Sequence, residues 1–305
     1  MKPKTIIQLI RPTHWTKNVL VLAPVVFAMR VCDPRAWYQA ALATVAFCLA
    51  SSAAYVFNDI HDRERDLRHP AKSNRPLASG RVSVRAAVAI AAILLLSALG
   101  VALAANSRVL AVVAAYLLLQ AAYTLALKHR MLLDVICIAL GFVLRAVAGA
   151  VAIPVVVSPW LFVCTFTVCL FMGFCKRCNE IATVGGIDEA GEHRFTLASY
   201  KPELLTHLIT LSAAVAIMGF LLYASSGRTV RSFGTNFMIY TLPVVIYGVF
   251  RFAMLSMRGS YIDPMDIILN DRPFQATVLI WVAAVVVVIY WGHQLQDWAR
   301  CWVQG

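Results

Sequence analysis

Residues 36–66 read AWYQAALATVAFCLASSAAYVFNDIHDRERD: an apolar run ends at Phe57 and passes directly into Asn58-Asp59-Ile60-His61-Asp62-Arg63-Glu64-Arg65-Asp66. Ala36–Phe57 is as long as an α-helix needs to be to cross a bilayer core, about 20 residues. Similar blocks recur at Asn18–Met29, Ala86–Ala104, Leu110–Leu127, Leu132–Val151 and Pro159–Cys175, then at Leu205–Ala224, Phe237–Met257 and Thr277–Gly292. The expected fold class is an all-α integral membrane protein with about nine transmembrane helices, residues 1–305 forming one polytopic domain. The first block is short and holds Pro24, so it must recruit part of Trp15–Asn18 to span. The opening MKPKTIIQLIRPTHW lacks the pattern of a cleavable signal.

Composition agrees. Of 305 residues, 61% are apolar and 14% charged, with mean hydropathy +0.75; a soluble domain carries about 25% charged residues. This excludes a soluble enzyme, a disordered chain, a secreted disulfide scaffold and a nucleic-acid module, despite a net charge of +12. Numbering the loops alternately puts 20 of the 27 Lys and Arg on one side of the membrane, the N-terminus included. That side is expected to be cytoplasmic. Twelve of the fifteen Asp and Glu share it, which topology rules do not require, so this face is the expected place for metal and phosphate chemistry. The two longest connections, about 58–85 and 176–204, lie there too, and long loops are more often functional than short ones.

If the helix continues past Phe57, Asp59, Asp62 and Asp66 stand at i, i+3 and i+7 and share a face, with Asn58 beside it. Three carboxylates converging on one point demand a cation. Oxygen-only ligands suit Mg²⁺ bound jointly by protein and diphosphate. The plainer reading is a solvated helix end balanced by Arg63 and Arg65. The turn-rich stretch His69–Gly80 then offers Lys72 and Arg75 to phosphate oxygens, although ordinary positive-inside bias also accounts for them. Tyr123, Lys128, His129 and Arg130 form the next basic cluster, ahead of Asp134. Arg145 follows Asp134 by about 16 Å along the same helix. An ionisable group that deep faces a cavity or a partner, or snorkels to the interface.

Lys176-Arg177-Cys178-Asn179-Glu180 closes the sixth block. Lys176 and Glu180 suit an i, i+4 salt bridge; alternatively Glu180 serves a metal-bound water or a ribose hydroxyl while Lys176 and Arg177 serve phosphates. Asp266 and Asp271-Arg272-Pro273 suit either a substrate contact or an interfacial turn. Arg11-Pro12-Thr13-His14-Trp15-Thr16-Lys17-Asn18 pairs an interfacial Trp with two cations, fit for belt anchoring or for a lipid phosphate. Cys175-x-x-Cys178 is a lone pair, without the second pair or His that a zinc site needs.

Asn58-Asp59-x-x-Asp62-x-x-x-Asp66, the Lys72–Pro76 segment and the hydropathy pattern together resemble the UbiA prenyltransferase superfamily over nearly the whole chain. The resemblance implies a helical bundle with a central cavity open to the cytoplasmic face. It departs from aromatic prenyltransferases where Lys176–Glu180 lacks the paired Asp of their second motif. Arg11-Pro-x-x-Trp15-x-Lys17-Asn18, Tyr123…Lys128, Lys176-Arg177-x-x-Glu180 and Asp271-Arg272-Pro273 instead resemble the decaprenyl-phosphate phosphoribosyltransferase branch.

That branch implies a Mg²⁺-dependent enzyme in the bacterial inner membrane, with its site on the cytoplasmic side. It takes phosphoribosyl diphosphate as donor and polyprenyl phosphate as acceptor, feeds lipid-linked D-arabinofuranose for a cell-wall arabinan or an arabinosylated nodulation factor, and is compatible with a homo-oligomer. Asp59, Asp62 and Asp66 would hold the metal. Asp59, Asp62 and Glu180 would serve catalysis. Asn58, Lys17, Lys72, Arg75, Tyr123, Lys128, Lys176, Arg177, Asp271 and Arg272 would bind substrates. An aromatic prenyltransferase of the same fold is the first alternative. A non-catalytic lipid or ion carrier is the second; it would be expected to show internal repeats with broken helices near the midplane.

Overall fold

The computed structural model describes residues 3–68, 72–183, 200–259, 261 and 264–304. His69-Pro70-Ala71, Asp188, Glu189, Glu192, Arg194 and Asp263, which the sequence places on the charged face, lie outside them. Among the described residues there is no strand, and eight helices are long and apolar enough to cross a membrane. The chain divides into two compact units, Met1–Ser158 and Pro159–Gly305.

The first unit is built on α3 (Pro34–His61), which packs against α5 (Val84–Ala105), α6 (Ser107–Leu125) and α7 (Leu133–Ala152). Its start is well specified. Pro34 occupies the first helical position, and the Asp33 side chain accepts from the amides of Arg35 (3.0 Å) and Ala36 (3.3 Å), so two of the orphan donors of a helix N-terminus are satisfied. Ala40, Ala43, Ala46 and Ala50 are fully buried along α3. Small residues at such positions let helix backbones approach closely in a membrane. The opposite surfaces expose large apolar side chains such as Ile93, Leu96 and Leu118, as a lipid-facing wall does.

The first apolar block does not make an ordinary membrane helix. After α1 (Pro3–Ile10), Arg11 takes the left-handed conformation (φ 53°, ψ 61°), and Pro12–Leu22 winds as a 3₁₀-helix before α2 (Ala23–Phe27). A 3₁₀-helix rises about 2.0 Å per residue, so Pro12–Phe27 covers ~30 Å, the thickness of a bilayer core. The block also lies tight against α7: a Cβ on Gly149 would fall inside contact distance of the Val21 carbonyl oxygen and 2.8 Å from its carbon. One other expectation shifts. α3 runs on to His61, and α4 (Arg63–Arg68) follows with Asp62 (φ −92°, ψ 4°) as the only non-helical residue between. The expected 58–85 connection therefore begins as helix, which α3 and α4 carry to Arg68.

The second unit comprises α8 (Pro159–Thr183), α9 (Pro202–Ser225), α10 (Gly227–Phe233), α11 (Leu242–Met257), α12 (Pro264–Asn270) and α13 (Arg272–Gln304). α8 packs along α9, and Phe171, Phe252 and Phe274 meet in series as tilted ring pairs, with centroids 5.7 and 5.6 Å apart. α8 continues two turns beyond Cys175, so Lys176, Arg177 and Glu180 sit on a helix and not in a loop.

Candidate active site

The acidic end of α3 is tied to three cations from three other segments. Arg11 Nη2 lies 2.6 and 2.7 Å from the two oxygens of Asp59. Arg75 Nη1 lies 3.1 Å from Asp59 Oδ1 and 2.7 Å from Asp66 Oδ2, bridging the two carboxylates. Lys128 Nζ lies 2.6 and 2.7 Å from the oxygens of Asp62, and 3.2 Å from the Asn58 side-chain oxygen, which Thr124 also reaches at 3.5 Å. Asp59, Asp66 and Lys128 are buried. Three carboxylates and three cations balance.

The local sequence delivers these groups. Helical hydrogen bonds from Asp62 to Asn58 (2.9 Å) and from Asp66 to Asp62 (2.8 Å) carry the aspartates across the break after α3. Arg75 is presented by a turn closed by its own amide on the Lys72 carbonyl (2.9 Å). Lys128 sits in a one-turn 3₁₀ segment, Leu127–His129, after α6. Arg11 stands at the left-handed joint between α1 and the 3₁₀-helix, its guanidinium over the Tyr55 ring. That joint is held from below: Trp15 donates to Ser52 Oγ (3.0 Å), and Ser52 donates to the Ile10 carbonyl (2.8 Å).

Asp59, Asp62 and Asp66 do not meet at one point in this structure, where each carboxylate is occupied by a cation. Among the described residues no group of three or more His, Cys, Asp or Glu side chains is arranged to hold a metal. Shared helix face brings Asp59 and Asp66 to one cation, but Lys128 draws Asp62 to a separate one. Lys17, Lys72 and Tyr123 are half-buried in this same unit. Arg145 does not snorkel; it is 5% exposed and donates to Asn18, Gly141 and Tyr116.

In the second unit, Arg177 is fully buried and pairs with Glu180, its i, i+3 neighbour. Asp271 accepts from Arg251 through both oxygens, at 2.7 Å (Nε) and 2.9 Å (Nη2), and caps α13 by accepting from the Phe274 amide at 2.8 Å. The Arg251 guanidinium, with the Phe274 amide, holds the Asp271 carboxyl below its ordinary 3.8 against the opposing effect of burial. Arg272 is exposed. Arg11 and Arg251 are the partners that sequence reasoning missed for Asp59 and Asp271. They stand 48 and 20 residues away, and no local spacing marks them.

The chain is a polytopic helical protein in which three carboxylates near a helix end are paired with three cations. The chain belongs to the UbiA prenyltransferase family, which matches residues 19–260. It is 32% identical to a decaprenyl-phosphate phosphoribosyltransferase of Corynebacterium glutamicum, over 93% of this chain and 86% of that one. It is 33% identical to the protein of that name from Mycobacterium tuberculosis, over 94% and 95%, and 30% identical to nodulation protein NoeC of Azorhizobium caulinodans, over 82% and 81%. Its fold is similar to a UbiA homologue from Archaeoglobus fulgidus bound to GPP and Mg²⁺, with TM-score 0.70 and 20% identity over 93% of this chain and 99% of that one.

Proposed function

We propose that this protein transfers 5-phosphoribose from phosphoribosyl diphosphate to a polyprenyl phosphate at the cytoplasmic face of a bacterial inner membrane. The observation that carries the reading is the match of cations to carboxylates around α3. Arg75 Nη1 already stands between Asp59 and Asp66, so these oxygens bracket a point that suits positive charge. Oxygen donors of this kind, few in number and facing a phosphorylated ligand, fit Mg²⁺, which keeps several waters and takes the rest of its ligands from substrate. Asp59 and Asp66 would hold it, with Asp62 joining them once Lys128 turns from its carboxylate to the substrate. When bound, the metal neutralises and orients the departing diphosphate.

The remaining work falls to the protein. Arg11, Arg75 and Lys128, released from their carboxylates, bind phosphate oxygens; a guanidinium fork suits such oxygens and an ammonium acts as a point charge. As the C1–O bond to diphosphate lengthens, the ribose gains oxocarbenium character, and an oxygen of the polyprenyl phosphate forms the new bond to C1. That phosphate is already anionic, so no strong base is needed. Glu180 is assigned to a ribose hydroxyl, Lys176 and Arg177 to phosphates, and Lys17, Lys72, Tyr123, Asp271 and Arg272 to substrate positioning. The product would feed lipid-linked D-arabinofuranose, for a cell-wall arabinan or an arabinosylated nodulation factor.

Membranes containing the protein, given labelled phosphoribosyl diphosphate, Mg²⁺ and polyprenyl phosphate, should label the lipid, and Asp59→Ala should abolish this. Wild-type transfer by that variant would refute the assignment. Transfer seen only from a prenyl diphosphate to an aromatic acceptor would replace the reaction with aromatic prenylation.

A further inference from the structure

Arg145 lies on α7, is 5% exposed, and makes no hydrogen bond to a carboxylate among the described residues. Nε donates to Asn18 Oδ1 at 2.7 Å, Nη1 to the Gly141 carbonyl at 2.8 Å, and Nη2 to the Tyr116 hydroxyl at 3.0 Å. Its guanidinium carbon lies 4.8 Å from the Tyr116 ring centroid and 5.1 Å from that of Phe142. Asn18 is fully buried and donates to Cys48 Sγ (3.3 Å) and Ser51 Oγ (3.4 Å) of α3. These partners satisfy the geometry of a guanidinium, but all are neutral. Burying a charge with no opposite charge is costly, and inside a membrane such a residue calls for a function. The aspartate cluster cannot supply the missing charge, because Arg11, Arg75 and Lys128 already balance Asp59, Asp62 and Asp66.

We propose that Arg145 is an electrostatic binding determinant: a buried cation whose field at the aspartate cluster strengthens the binding of a phosphate-bearing ligand it never touches. The proposal rests on the reading that the Asp59 cluster receives such a ligand. Ser51, at the level of Asn18, precedes Asp59 by eight residues of α3, which places Arg145 about 12 Å deeper. With an effective dielectric constant of about 20, a unit charge at that distance changes affinity about tenfold per ligand charge. A ligand carrying two net charges would gain roughly the square of that factor. A bolt that merely fixes the 3₁₀-helix would use the same hydrogen bonds, so the two roles must be separated by charge.

Calorimetric titration of the detergent-purified full chain with magnesium pyrophosphate, and separately with orthophosphate, separates them. Arg145→Lys keeps the charge and loses the fork; its affinity should stay within a few-fold of wild type. Arg145→Met should bind each of them about tenfold weaker or worse. Asn18→Asp keeps the acceptor for Nε and cancels the charge, so it should weaken binding to a similar extent while melting no lower than wild type. A structural bolt predicts the reverse order: Lys and Met equally impaired, and Asn18→Asp unimpaired, since a carboxylate is the stronger acceptor. That pattern overturns the proposal, as does wild-type affinity in Asn18→Asp even where both Arg145 variants fail to fold. Absence of pyrophosphate binding in the wild-type chain would contradict the phosphate-site reading as well.

Discussion

Gly149→Ala tests whether the 3₁₀ segment is seated where the site needs it. Alanine favours an α-helix interior over glycine by about 1 kcal/mol, and Gly149 lies inside α7, so propensity alone predicts stabilisation. Packing predicts the opposite. The new Cβ would stand 2.8 Å from the Val21 carbonyl carbon and 3.1 Å from Pro24 Cδ, where two carbons rest at about 3.5–4.0 Å. The first of these is backbone and cannot rotate away, so the segment must back off by about 1 Å. Overpacking of this kind costs about 1–3 kcal/mol, which outweighs the propensity gain in most of that range. Asn18 and Arg11 ride on or adjoin the displaced segment, so the grip on Asp59 loosens too, and a misplacement of about 1 Å can cost on the order of 100-fold in rate. Thermal unfolding in detergent together with lipid-labelling turnover measures both effects. An alanine variant that is as stable and as active as wild type would refute the close approach of the two segments and the role given to it.

Three further outcomes follow from the same contacts. Asp33→Ala removes the cap of α3 and should cost about 1 kcal/mol, read as a lower midpoint in thermal unfolding with activity retained. Lys128→Met leaves Asp62 without its cation; because 17% of that side chain reaches solvent, the loss should be about 1–3 kcal/mol, below the ~3–5 kcal/mol of a fully buried pair, and Lys128→Arg should recover part of it in the same melt. The Asp271 carboxyl is held below its ordinary value by Arg251, so its stabilising contribution is complete above the unfolded carboxyl pKa and fades as pH falls through the lowered one. Melting midpoints of wild type and Asp271→Asn should therefore differ at neutral pH and converge as pH drops toward and below 3.8; a gap that is constant with pH would contradict the pairing.

Most of the fold is written in hydropathy, because a backbone that cannot find water within a bilayer must close its hydrogen bonds as helix. Eight of the nine expected apolar blocks are such helices. The signal fails where the helix and the apolar run part company. α8 outlasts its apolar stretch by two turns, carrying Lys176, Arg177 and Glu180 beyond Cys175. The first block is apolar enough but too short as α-helix, and Pro12–Leu22 winds as a 3₁₀-helix. Spacing put Asp59, Asp62 and Asp66 on one face, and Arg75 Nη1 reaches two of them, Asp59 and Asp66. It could not show that Arg11 and Arg75 occupy them or that Lys128 diverts Asp62, since those partners come from 48, 9 to 16 and 66 residues away. Arg145 was legible as an anomaly, but its partner Asn18, 127 residues distant, was not.

The central claim is that the Asp59 and Asp66 oxygens, with the surrounding cations, receive a metal-bound diphosphate. Titrating the purified protein with phosphoribosyl diphosphate, with and without Mg²⁺, in wild type and Asp59→Asn, measures this directly. Tight binding by wild type only when Mg²⁺ is present, lost in Asp59→Asn, is the predicted result; equal binding with and without the metal, or by the variant, would contradict it.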